Sequence, residues 1–194
     1  MSKRLALLSA AAFGALALAA AVVAPVSAQD KMMKSELSGE KTVMVGGAAM
    51  FPSKNIIQNA VNSKDHTTLV AAVKAAGLVD TLEGKGPFTV FAPTNAAFGK
   101  LPAGTVDTLV KPENKPTLTK ILTYHVVPGR LAASGLSDGK KLKTVEGEEL
   151  TVHASGGKVT IVDAKGGSST VTIPNVNQSN GVIHVVDTVL MPAS

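Results

Sequence analysis

Cysteine is absent from all 194 residues, and so is tryptophan; tyrosine occurs once. The missing cysteine excludes a disulfide, a thiol nucleophile and a lipid attached at a thiol. The fold must therefore stand on packing alone. Several catalytic signatures are also absent. There is no His-Glu-x-x-His pair, no Gly-x-Ser-x-Gly elbow, no phosphate-binding P-loop and no dinucleotide glycine fingerprint. No cofactor is expected. Basic residues are not concentrated either. Lys140, Lys141 and Lys143, with Arg130 nearby in sequence, form the densest cluster, and they read as a solvated loop or an edge strand protected by lysine. A nucleic-acid partner is not expected from so sparse a basic face.

One long hydrophobic run is present, at the start. Lys3 and Arg4 precede an uncharged stretch from Leu5 to Val23, rich in Ala and Leu. Val26-Ser27-Ala28 then offers small residues, and Gln29-Asp30-Lys31 turns polar. Charged, apolar and small segments in that order mark a cleavable secretory signal over residues 1–28. The rival is a retained membrane anchor, since about 20 apolar residues suffice to span a bilayer. After cleavage no stable membrane insertion is expected. Loss of Lys3 and Arg4 takes the formal charge from +5 to +3, with 17 Lys and Arg facing 14 Asp and Glu. Removing 28 of 194 residues leaves 166, enough for one domain with a real core.

Residues 29–52 read as a flexible arm carrying Met32, Met33, Met44, Met50 and Gly46-Gly47, with no sustained period. Methionine thioethers bind Cu(I). An envelope metal or small-ligand binder using this arm with His66 is therefore the alternative function.

The folded part is expected over residues 53–192. Ile56, Ile57, Ala60 and Val61 recur at helical spacing. Asp65 to Thr68 offer caps for a helix through Leu69, Val73 and Ala76, which Gly77 ends. Leu78 to Leu82 adds a short helical turn. Phe88 to Ala92 reads as a strand bounded by Pro87 and Pro93. Thr94 or Asn95 then caps a turn through Ala96, Ala97 and Phe98. Thr105 to Val110 is another turn. Pro116 opens a helix whose Leu118, Ile121, Leu122 and His125 share a face. From Lys141 onward the pattern alternates as strands: Leu150, Val152 and Ala154, then Val159 and Ile161, then Val171 and Ile173, where Pro174 limits pairing. An apolar run from Val182 to Leu190 closes the chain. Helices early and strands late, around one early strand, predict an α+β fold with a mainly antiparallel sheet.

Three segments resemble the signature boxes of the fasciclin (FAS1) domain family. They are Phe88-Thr89-Val90-Phe91-Ala92-Pro93-Thr94-Asn95-Ala96-Ala97-Phe98, then Ile121-Leu122-Thr123-Tyr124-His125-Val126-Val127-Pro128-Gly129, then Gly181-Val182-Ile183-His184-Val185-Val186-Asp187-Thr188-Val189-Leu190-Met191-Pro192. Three boxes in order make a specific match. The resemblance implies a β-wedge of mainly antiparallel strands with several helices packed around it. It implies a secreted or periplasmic binding and cell-adhesion module that meets a protein or polysaccharide at the cell surface or matrix, as a monomer or weak oligomer. The motif residues it marks are Thr89, Phe91, Ala92, Pro93, Thr94, Asn95, Phe98, Tyr124 and His125. Their expected role is architectural, with His125 a buried, hydrogen-bonded imidazole, so no catalytic residue is assigned. A hydrolase would need Ser or Asp beside His in a concave pocket. Asn177-Gln178-Ser179 is a glycosylation sequon, relevant only in a host that uses it.

Overall fold

Residues 41–193 are described by the computed structural model of the chain. The signal segment expected over 1–28, and the arm as far as residue 40, lie outside them. The arm does not run flexibly to residue 52. Strands β1 (Val43–Val45) and β2 (Ala48–Met50) pair antiparallel. Val45 and Met50 are each 3% exposed and belong to the main core. A hairpin of three-residue strands is too short to show a period, which is why the sequence pattern missed it.

Helix α1 (Ile56–Ala60) starts at a capping box, in which Asn55 and Gln58 each satisfy the other's backbone N–H. A 3₁₀ turn at Lys64–His66 leads into α2 (Thr67–Ala76), which buries Leu69, Ala72, Val73 and Ala76. Gly77, at φ 72°, ends α2 in the left-handed conformation that its sequence position predicts. The expected local cap from Asp65 to Thr68 is not made; the bond comes from Asn95, 27 residues on. Helix α3 (Val79–Glu83) follows.

Strand β3 (Phe88–Pro93) leads to α4 (Asn95–Gly99), α5 (Thr105–Leu109) and α6 (Lys115–Tyr124). The remaining strands are β4 (Val126–Pro128), β5 (Lys141–Lys143), β6 (Glu149–Ser155), β7 (Lys158–Val162), β8 (Ser168–Gln178) and β9 (Gly181–Val186). Seven strands form one sheet in the order β4-β3-β9-β8-β7-β6-β5. Among the described residues, only the β3–β9 pair is parallel. The Val145 N–H, just past β5, donates to the Val126 carbonyl on β4 at 2.8 Å, so the sheet curls almost into a barrel. This is the α+β wedge expected.

Alternation along the central strands creates two cores. Val90 and Ala92 of β3, with Ile183 and Val185 of β9, face the helices and the hairpin. Phe91 and Val186 face the other way, onto Leu150, Val152, Ile161 and Tyr124 inside the curled sheet. The strand part of the final apolar run stops at Val186, and Val189 and Leu190 return to the cores from outside the sheet. Pro174 lies at a register shift between β8 and β9, next to Asn175 at φ 57°. This is the break in pairing that a proline imposes. Lys141 and Lys143 are exposed on β5, at one end of the sheet order, while Arg130 bonds elsewhere, to the Gln178 carbonyl at 2.7 Å.

Candidate functional site

Each polar residue of the first box is spent on a hydrogen bond within the framework. The Thr89 hydroxyl donates to the Gly129 carbonyl at 2.6 Å and accepts from the Leu131 N–H at 2.9 Å, closing the turn after β4 onto β3. Thr94 is the cap of α4, accepting from the Ala97 N–H at 3.2 Å. Asn95 turns instead to α2. Its Oδ1 accepts from the Thr68 N–H at 3.0 Å, and its Nδ2 donates to the Lys64 carbonyl at 2.8 Å and the Thr67 hydroxyl at 2.9 Å. Phe91, Ala92 and Phe98 are buried, and Pro93 ends β3.

The Tyr-His pair is equally occupied. The Tyr124 hydroxyl accepts from the Ala164 N–H at 2.9 Å and makes a long bond to the Glu149 carbonyl at 3.4 Å, tying α6 to the curled sheet. Burial pushes its pKa up. His125 is 2% exposed. Its Nδ1–H donates to the Ile121 carbonyl at 2.8 Å, and its Nε2 accepts from the Leu190 N–H at 3.0 Å. Both nitrogens are satisfied in one neutral tautomer. Burial lowers its pKa from 6.5 to about 4, since desolvation penalises the charged ring.

Two more histidines are buried, and sequence reasoning gave neither this role. His184 stacks on Phe91 at 5.7 Å, accepts from the Asn175 N–H at 3.3 Å and donates to the Leu131 carbonyl at 2.8 Å. It thereby holds the bulge in β8. His66 pairs with the Ser63 hydroxyl through Nδ1 at 2.9 Å. Its Nε2 is the one buried side-chain polar atom without a hydrogen-bond partner among the described residues. The Ala92 carbonyl lies close enough to favour a proton there but outside hydrogen-bond geometry, and burial outweighs it, leaving the His66 pKa lowered.

Three clamps also went unseen. Asn59 exchanges bonds with the Phe51 backbone, at 3.0 and 2.8 Å, and reaches Gln178. Asn180 accepts from the Ile56 N–H at 3.1 Å and donates to the carbonyls of Leu82 at 2.7 Å and Gly84 at 2.9 Å, gathering α1 and α3 at the β8–β9 turn. Asp163 accepts from the N–H groups of Lys165, Gly167 and Met191. The only sequence signal was Asn180-Gly181 as a turn dipeptide.

Between the helices and the sheet lies an apolar cavity of about 70 Å³, walled by the hairpin, α1, α2, α3, β3, β9 and α6. Ser63, His66 and His125 belong to its wall. Ser63 and His66 are a Ser–His pair at a pocket, the arrangement a hydrolase would require. Yet no third group orients the imidazole, because Nε2 is unbonded. The pair joins residues three apart in a 3₁₀ turn, the ordinary local bond of a serine to its own turn. Of the arm's methionines, Met50 is in the core, Met44 is exposed, and Met32 and Met33 lie outside the described residues. Among the described residues no group of three His, Asp or Glu stands close enough to hold a metal. No described helix is long and apolar enough to cross a membrane.

The box residues are thus built into the framework of an α+β wedge. The chain belongs to the Fasciclin domain family, whose profile matches residues 64–192. It is 50% identical over 153 residues to protein sll1483 of Synechocystis, covering 79% of this chain and 82% of that protein. It is 36% identical over 189 residues to immunogenic protein MPB70 of Mycobacterium bovis, covering 94% and 93% of the two. A pig protein, transforming growth factor-beta-induced protein ig-h3, is 39% identical over 124 residues, 64% of this chain but 17% of that one. The same fold occurs in a FAS1 domain pair from the insect cell adhesion molecule fasciclin I, with a TM-score of 0.65 at 20% identity, over 73% of this chain and 52% of that chain. This chain thus spans about half of the insect pair.

Proposed function

We propose that this chain is an exported, non-catalytic adhesion module whose partner at the cell surface or matrix is a protein. The observation that carries the reading is the engagement of Thr89, Asn95, Tyr124 and His125 in bonds between elements, which leaves recognition to the outer surface. Family membership supports the adhesive role, and one structural neighbour is a cell adhesion molecule. The signal-like order of Lys3-Arg4, Leu5–Val23 and Val26-Ser27-Ala28 supports export.

The choice of a protein over a polysaccharide rests on aromatics. Sugar rings dock their C–H faces on exposed aromatic faces. Among the described residues Phe91, Phe98 and Tyr124 are buried, Phe88 is half-buried, and Phe51 already carries the Lys54 ammonium at 5.0 Å. Exposed Met44, Val61 and Val145 offer scattered apolar contacts of the kind protein partners use.

Retention of the purified protein on the envelope fraction of its own cells tests this. Protease treatment of that fraction abolishes retention and periodate oxidation of its glycans leaves it intact. The opposite pattern would make the partner a polysaccharide.

A further inference from the structure

Residues 188–193 run on past β9 with neither helix nor strand, yet Val189 belongs to the main core and Leu190 to the core inside the curled sheet. Three of their backbone N–H groups end on titratable side chains from three other parts of the chain. Leu190 donates to Nε2 of His125, at the end of α6, at 3.0 Å. Met191 donates to Oδ2 of Asp163, just past β7, at 3.0 Å. Ala193 donates to Oε2 of Glu148, just before β6, at 2.8 Å. The start of the segment is held differently. Asp187 exchanges bonds with the Thr170 backbone, and the Thr188 backbone with the Ser169 hydroxyl, so the root is fixed to β8. Beyond that root, the segment is tied by acceptors whose charge depends on pH.

We propose that residues 189–193 are an acid-released strap: protonation of His125 removes the acceptor of the Leu190 N–H, and the strap lifts from its seat while β3, β9 and β8 stay paired. A protonated Nε2 is a donor and meets the Leu190 N–H donor to donor. Histidine is the side chain whose ordinary charge change falls between pH 5 and 8. Burial holds the closed ring at a pKa of about 4, outweighing the Ile121 carbonyl and the Asp163 carboxylate that favour its charged form. The other charged groups around it are engaged elsewhere. Glu146 and Glu148 face the neighbouring Tyr124, with Lys120 paired to Glu146 at 3.5 Å, and Lys100 pairs with Asp187 at the root at 3.8 Å. His66, in the same cavity wall, bonds to Ser63 and not to the strap. With the strap open the ring meets water and returns towards 6.5. Closure is therefore fully favoured above pH 6.5 and loses that preference as pH falls towards about 4. Between about pH 7.5 and about pH 5 opening becomes about 30-fold more favourable. It uncovers the apolar seats of Val189 and Leu190.

The test is amide hydrogen exchange of the ¹⁵N-labelled protein at about pH 7.5 and about pH 5, with each rate corrected for the intrinsic pH dependence of exchange. The Leu190 and Met191 amides are less protected than Val90 and Ile183 in the central strands, because the strap opens without the sheet. Their protection falls about 30-fold at the lower pH. In His125→Gln, whose side-chain oxygen accepts at either pH, that fall is lost. If His125→Gln does not fold, the parent decides by the first two results. Leu190 and Met191 protected as strongly as Val90 and Ile183 at both pH values, a protection that does not change with pH, or the same fall in a folded His125→Gln would each overturn the proposal.

Discussion

Acid weakens this fold before its carboxylates titrate, and His125 sets the scale. In the native state its ring is neutral, with Nδ1–H given to Ile121 and Nε2 accepting from Leu190. Burial holds its pKa at about 4, against 6.5 in the unfolded chain. The unfolded state therefore binds a proton first as pH falls. The stabilisation is fully present above pH 6.5 and drains away as pH drops from 6.5 towards about 4. Two and a half pKa units correspond to about 3 kcal/mol in all, of which about 2 kcal/mol is gone by about pH 5. His66 and His184, whose pKa values burial also lowers, add in the same direction. Urea unfolding at about pH 7.5 and about pH 5 measures the loss, in a window above the carboxylate range. His125→Gln is less stable than the parent at the higher pH and shows a shallower pH slope. An unfolding free energy unchanged between the two pH values would refute the reasoning, and so would a slope unaltered in His125→Gln.

Four further outcomes follow from the same contacts. Thr89→Val strands the Leu131 N–H and the Gly129 carbonyl and costs about 2 kcal/mol in urea unfolding. Asn95→Ala uncaps α2 from a distance and costs about 1 kcal/mol, with the loss of amide protection concentrated at Thr68. Gly181→Ala drives a Cβ into the Phe88 carbonyl where β3 and β9 meet, and the variant is recovered mainly as insoluble protein. A fluorophosphonate reagent leaves Ser63 unlabelled in intact-mass spectra, because its histidine lacks an orienting partner.

Local pattern carried much of the fold. The helical face of Leu69, Val73 and Ala76, the stop at Gly77 and the strand from Phe88 all depend on neighbours within a few residues, and all stand in the structure. Thr94 as the cap of α4 was legible for the same reason. What pattern cannot carry is a polar side chain bonding far along the chain. Asn95 caps a helix 27 residues upstream, and Asn180 serves the Ile56 N–H across 124 residues. Nothing near either asparagine announces its target. The three-residue strands of the hairpin at residues 43–50 hold no period, so by pattern Met50 reads as part of an arm, whereas in the structure it is core. His184 was legible as a strand residue, but its grip on the β8 bulge depends on a register shift that only the folded sheet defines. The cavity depends on elements from all along the chain meeting and has no trace in any one of them.

The central claim is that the box residues build the wedge and the outer surface does the binding. It is tested most directly by measuring thermal unfolding and envelope retention on the same preparation of His125→Gln. The variant melts at a lower temperature than the parent and is fully retained at temperatures where it is folded. A variant that melts with the parent yet no longer binds would contradict it and make His125 part of the recognition site.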